Sequence, residues 1–150
     1  MAQITLEKQV RAPIQRVFAV ASNLRDAPKN IPAITKMDVL TEGPVRLGTR
    51  FRETRMMFGR EATEEMEVTA FELNRTYTVT HRKAGTRIDA TFTFEPLDGG
   101  TSVSIEFELA GHGLPPGLLS PLEWALSGKV RDVLSRDLAD LKAAIEKVAH

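Results

Sequence analysis

Apolar residues recur at three- and four-residue spacing through the C-terminal segment. Leu122, Leu126, Val130, Val133, Leu134, Leu138, Leu141, Ile145 and Val148 draw one stripe down one face of a helix. Ser120-Pro121-Leu122-Glu123 has the form of a capping box with proline at the first helical position, so the spacing predicts a helix from Ser120 to the chain end. The opposite face carries Lys129, Arg131, Asp132, Arg136, Asp140, Lys142 and Glu146. At about 1.5 Å per residue this helix would be roughly 40 Å long, so it must lie across something broad.

Upstream, the pattern is that of a sheet. Ile4, Leu6 and Val10 alternate with polar neighbours as a first strand, with Lys8 interrupting the alternation as at an edge or a bulge. Pro13 opens a helix in which Ile14, Val17, Phe18 and Ala21 share a face and Asn23 is the stop. Pro28 and Pro32 allow only a short helical turn before a second strand over 34–41, and Gly43-Pro44 and Gly48 punctuate the loop beyond it.

From Thr49 to Ala110 the chain reads as an antiparallel meander whose turns set the register. A loop at Gly59-Arg60 pairs Met57 with Ala62, Arg55 with Glu64, Glu53 with Met66 and Phe51 with Val68, with Arg52 meeting Glu67 on the other face. Ala84-Gly85 sets His81 against Ile88, Val79 against Ala90 and Tyr77 against Phe92, and Asp98-Gly99 sets Phe94 against Val103, Phe92 against Ile105 and Ala90 against Phe107. The apolar positions of successive hairpins then coincide on one face. Thr78, Thr80, Arg87, Asp89, Thr91, Thr93, Ser102, Ser104 and Glu106 occupy the other, as on a solvated side. The expectation is a single α+β domain over 1–150: a curved antiparallel sheet of about seven strands wrapped around a long C-terminal helix, with two short helices after the first strand.

Composition narrows the function classes. At 150 residues and 42% hydrophobic the chain suits one domain with one substantial core, and 20 basic against 20 acidic residues give no global pull toward nucleic acid or an anionic membrane. Without cysteine there is neither a disulfide framework nor thiolate chemistry, and histidines scattered at 81, 112 and 150 make no zinc pattern. The N-terminus alternates instead of forming an apolar run and no segment reaches the length of a membrane span, so a soluble, cytoplasmic protein is expected. The arginines at 50, 52, 55 and 60 look like a nucleic-acid patch when read linearly, but alternation puts Arg55 on the opposite face from Arg50 and Arg52, whose neighbours are acidic. GxGxxG, P-loop, HExxH and GxSxG signatures do not occur, so no nucleotide, metal or other cofactor is implied.

The order of these elements, with Val10-Arg11-Ala12-Pro13 leading into Val17-Phe18, then Asn30-Ile31-Pro32, Leu47-Gly48-Thr49-Arg50-Phe51, Asp98-Gly99-Gly100-Thr101 and Leu138 through Glu146, resembles the helix-grip fold of the START-like (SRPBCC) superfamily, in particular its polyketide cyclase/dehydrase branch. The tryptophan often seen at the third strand in such proteins is Phe51 here. The resemblance implies a deep cavity between the concave sheet face and the helix that holds a hydrophobic or amphipathic small molecule. It does not imply one activity, because the superfamily includes lipid carriers, ligand receptors, aromatic polyketide cyclases, ubiquinone-binding proteins and cochaperone-like domains.

The register leaves Glu53, Arg55, Glu64 and His81 on the otherwise apolar inner face, with Tyr77 adding a hydroxyl. Apolar walls with a few convergent polar groups suit a ligand pocket. In a catalytic reading His81 exchanges a proton, Arg55 holds an enolate or carboxylate oxygen and Glu53 assists, as in a cofactor-independent cyclase or dehydratase. The competing reading makes Arg55 and Glu64 an exposed ion pair at a hairpin tip, His81 a hydrogen-bonded strand-end residue and Tyr77 core. The ligand-facing set comprises Phe51, Glu64, Met66, Tyr77 and Phe92 from the sheet and Trp124, Leu126 and Val130 from the helix. Met56 and Met57 are candidates for an adaptable lining, and Trp124 and the 111–117 linker for the cavity mouth. Three functions remain open on these residues: a carrier or receptor of an aromatic, polyketide-like or lipid-like compound, a cyclase or dehydratase using the same cavity, and a protein-interaction module whose cavity is filled with side chains.

Overall fold

The computed structural model describes residues 2–57, 59–83, 85–111 and 129–148. The elements run β1 (Ala2–Val10), α1 (Ile14–Ser22), a 3-10 turn (Leu24–Asp26), α2 (Ala27–Asn30), β2 (Ile34–Val39), β3 (Arg50–Met57), β4 (Arg60–Glu72), β5 (Thr76–Lys83), β6 (Thr86–Leu97), β7 (Gly100–Gly111) and α3 (Lys129–Val148). The strands form one antiparallel seven-stranded sheet in the order β1-β7-β6-β5-β4-β3-β2, so the meander from β2 to β7 is closed by the return of β1 beside β7. The expected α+β helix-grip architecture is the one observed. The proposed start of the last helix at Ser120 lies outside the described residues, as do Trp124 and Leu126.

The turns locate the register. The hairpins at Gly85 and Gly99 pair Tyr77 with Phe92, Val79 with Ala90, His81 with Ile88 and Phe94 with Val103, as the sequence predicts. The first hairpin differs. Met57 pairs with Arg60, so Glu53 faces Glu64, Phe51 faces Met66, Arg55 faces Ala62 and Arg52 faces Glu65. The turn therefore closes on Met57 and Arg60, with Gly59 at φ +80°, matching +81° at Gly85 and +78° at Gly99. In each hairpin the glycine fills the last loop position, where a left-handed backbone is needed. A slip of two residues changes every partner but leaves every side chain on its face.

Two bulges adjust which residues face the concavity. The register of β4 with β5 shifts between Val68 and Ala70, so Val68 faces inward and so does Phe71, and a second shift between Ile34 and Lys36 lets Ile34 and Met37 both point in. Lys8 sits at an edge and not at a bulge, since β1 pairs with β7 without interruption. On the convex face, threonine hydroxyls pair across strands, Thr54 with Thr63 at 2.9 Å, Thr69 with Thr80 at 2.7 Å and Thr78 with Thr91 at 2.9 Å. Thr80 and Ser102, expected on the solvated side, are buried there.

α3 lies in the concavity along β1. Leu138, Leu141 and Ile145 enter the main core with Val10, Val17, Phe18, Phe51 and Val68, while Leu134 packs on a second cluster of Ile4, Phe107 and Leu109. Its polar residues bind the exposed edge of β1: Lys142 Nζ donates to the Gln9 carbonyl at 2.7 Å and to Glu146 at 2.8 Å, and Glu146 accepts from the Arg11 backbone N–H at 2.8 Å. These bonds occupy backbone groups at the end of β1 and just beyond it. At the other end α1 starts on the Pro13 carbonyl and inserts Phe18 edge-on against Phe71, Tyr77 and Phe94, with ring centroids 5.1–5.9 Å apart. This aromatic plug forms one end of the concavity.

Candidate ligand cavity

Between α3, α1, α2 and the inner face of the sheet is a cavity of about 520 Å³. Phe51, Met66, Val79, Phe92, Ile105 and Leu138 are among its apolar walls, and Glu53, Arg55, Glu64, Tyr77, His81 and Asp137 are the ionisable residues of its described lining. The volume is within the roughly 300–1,000 Å³ of small-molecule sites. Among the described residues this space is not filled with side chains.

Register and tertiary packing assemble the polar groups. On β3, alternation directs both Glu53 and Arg55 inward, and the Arg55 Nε donates to Glu53 at 3.2 Å. The Arg55 Nη2 reaches across the cavity to Asp137 of α3 at 2.8 Å. The expected pairing of Arg55 with Glu64 is therefore replaced by a Glu53–Arg55–Asp137 triad, and its side chains are only 11–13% exposed, so Arg55 is not at a solvated hairpin tip. Glu64 pairs instead with His81, whose Nε2 stands 2.9 Å from the carboxylate while Nδ1 lies 2.9 Å from the Glu65 carbonyl. Two directed contacts fix the imidazole in place.

Burial dominates the electrostatics of the triad. It pushes the Glu53 and Asp137 carboxyls above their ordinary values, against the pull of the Arg55 guanidinium. Burial also works against the charge of Arg55, but its two carboxylate neighbours outweigh it and raise its pKa. Tyr77, fully enclosed, is raised by burial and donates its hydroxyl to the Ala21 carbonyl at 3.1 Å, so that proton is already committed. Its ring stacks on Phe92 at 4.7 Å, making these two residues a flat aromatic wall.

Of the residues singled out in the sequence, Phe51, Glu53, Arg55, Glu64, Met66, Tyr77, His81 and Phe92 line this one cavity. Met56 does not, being 46% exposed, and Met37 lines it instead. Val130 belongs to α3, but its side chain, like Trp124 and Leu126, lies outside the described residues. Sequence reasoning missed Asp137. The signal was present: Asp137 follows Val133 by four and Leu134 by three, so it is an acidic residue inside the apolar stripe, which is where a buried partner for Arg55 must come from. Arg50 and Arg52 both pair with Glu65 on the convex face, at 3.0 and 3.6 Å.

The model of polyketide cyclase/dehydrase and lipid transport proteins matches residues 1–146. The chain belongs to this family. Among solved structures, the protein TTHA0849 from Thermus thermophilus is similar over 99% of both chains, with TM-score 0.80 and 16% identity. The Zhui aromatase/cyclase from Streptomyces sp. R1128 is similar over 99% of this chain and 95% of its own, with TM-score 0.77 and 17% identity. A START superfamily protein from Mycobacterium smegmatis is similar over 99% of both, with TM-score 0.75 and 14% identity. At these identities the likeness establishes the fold alone. The search of curated proteins returned no match. Among the described residues no helix of this family member is long and apolar enough to cross a membrane.

Proposed function

We propose that the protein binds a hydrophobic or amphipathic small molecule, of aromatic, polyketide-like or lipid-like type, in the cavity between the sheet and α3. The observation that carries this reading is an apolar space of about 520 Å³ into which β3, β4, β5 and α3 bring a few ionisable groups, an arrangement that solvates an apolar body and orients a polar end. Membership of a family described by polyketide cyclisation and lipid transport supports it. Native mass spectrometry of protein purified gently from its own organism tests it. A stoichiometric hydrophobic compound released on denaturation is the expected result, and protein that is always empty and gains no thermal stability from a panel of aromatic and lipid compounds would overturn it.

A second reading, cyclisation or dehydration of a poly-carbonyl chain in the same cavity, is favoured by the two acid–base pairs His81–Glu64 and Arg55–Asp137 bordering the space. In it the His81–Glu64 pair moves the proton, the imidazole exchanging it through the Glu64 carboxylate, and Arg55, held by Glu53 and Asp137, stabilises the developing enolate. Exchanging His81 for Ala should then abolish turnover of a poly-β-keto thioester while leaving its binding in place. Unchanged turnover would remove His81 from the chemistry.

A further inference from the structure

The sheet is not paired continuously around the cavity. β3 and β4 stay together out to Met57–Arg60, and β5 and β6 out to Lys83–Thr86. Between these two hairpins the pairing of β4 with β5 ends at Glu67–Thr80, so residues 60–66 of β4 run beside β3 alone and 81–83 of β5 beside β6 alone. The bulge of β4 between Val68 and Ala70 lies just inside the last pair, where an interrupted ladder lets a strand bend.

Across this split the link is a side chain. His81 of β5 reaches back to β4, with Nδ1 2.9 Å from the Glu65 carbonyl and Nε2 2.9 Å from the Glu64 carboxylate. Both sides of the split belong to the cavity wall, Ala62, Glu64 and Met66 on one and His81 and Ile88 on the other. The Glu64 side chain is 35% exposed and that of His81 16%, so solvent reaches the clasp. The rest of the frame is tied down elsewhere: β6 stays paired with β7 as far as Thr86–Gly111, Arg55 holds β3 to Asp137 of α3, and Lys142 holds α3 to β1. Parting the two hairpins at the clasp breaks two side-chain contacts instead of a backbone ladder, which puts it among the local openings of low cost.

We infer that the ligand enters and leaves through the split between β4 and β5, and that His81 is the clasp that closes it. The inference rests on the ligand-binding reading above and adds to it a route and a control on the rate of exchange.

The chain has no cysteine, so Ala90→Cys puts a single thiol on the cavity wall. Its labelling by monobromobimane is timed in the full-length protein with His81 in place and with His81→Ala added. The second protein should label at least about tenfold faster, and Glu64→Ala, which removes one of the two contacts, should act in the same direction by a smaller factor. Amide hydrogen exchange should quicken over 60–66 and 81–83 but not in β1 and β7, which separates a local opening from a general loss of stability. In stopped flow, naphthylethanol should enter and leave the His81→Ala protein faster by similar factors, so that its affinity moves less than either rate. A labelling rate unchanged in both folded variants overturns the inference and leaves the binding reading standing. So does exchange that quickens throughout the sheet, or faster dissociation of naphthylethanol with association unchanged, which marks a lost ligand contact. If naphthylethanol binds neither protein, both readings fall together.

Discussion

Replacing Arg55 with methionine tests whether the triad across the cavity is truly desolvated. The substitution keeps an unbranched side chain of useful length and removes the cation that Glu53 contacts at 3.2 Å and Asp137 at 2.8 Å. With the three side chains only 11–13% exposed, the pair belongs to the buried class, where deleting one partner costs about 3–5 kcal/mol because the other charge is left without compensation. For a domain of this size that is a fall in Tm of roughly 10 °C.

The loss should depend on pH. Burial already raises the Glu53 and Asp137 carboxyls, and without Arg55 they rise further above their unfolded values. A carboxyl with a raised folded pKa contributes stability that is present below the unfolded value, about pH 4, and is lost as pH rises through the folded value. The gap between wild type and variant should therefore be narrow near about pH 5 and widen upward by up to about 1.4 kcal/mol per unit for each carboxyl. Glu64 of β4 and His81 of β5 face the same space and are present in both proteins. Urea unfolding followed by circular dichroism, at about pH 5 and about pH 8, measures it. A loss under about 1 kcal/mol, or one equal at both pH values, would mean that the triad behaves as a screened surface pair.

Three further predictions concern the frame and the cavity. Ile145→Ala, at a fully buried position where α3 meets the main core, should cost about 2–5 kcal/mol in chemical denaturation, and a cost below about 1 would contradict the packing described. Gly100→Ala would drive a Cβ into the Val10 carbonyl oxygen, and because backbone cannot rotate aside the expected loss is about 1–3 kcal/mol, seen as a lower Tm; an unchanged Tm would show that β1 can shift. Ala90→Trp places a large ring in the cavity beside Val79 and Phe107, so affinity for an apolar aromatic compound such as naphthylethanol should drop about tenfold or more with Tm held or raised, and full retention of binding would place that compound elsewhere.

Local signals made much of the fold legible. Alternation over β5, β6 and β7 and the glycines at 85 and 99 determined register and face together, because a two-residue loop ending in a left-handed glycine leaves one pairing. The same rule applied at Gly59 would have given the first hairpin correctly; taking glycine as the first loop residue moved every partner by two and joined Arg55 to Glu64 in place of Ala62. The inner-face residues were still identified, since the strand period is two and a slip of two is invisible to it. That is why Glu53, Arg55, Glu64 and His81 were readable as cavity-facing while their partners were not.

What the chain determined by itself is therefore which side chains face inward, the run of strands and the apolar stripe of the last helix, all of which follow from periodicities of two and 3.6 residues. Which charges meet was decided only by tertiary structure. Arg55 and Asp137 are separated by 82 positions and come together because α3 crosses the concavity anchored on the β1 edge, at a rotation set by Leu134, Leu138 and Leu141. No local pattern encodes that distance, although an aspartate in an apolar stripe announces that some buried partner exists. The size of the space left between helix and sheet is likewise a property of the packed whole, and it is that volume, more than any motif, on which the functional reading of this protein rests.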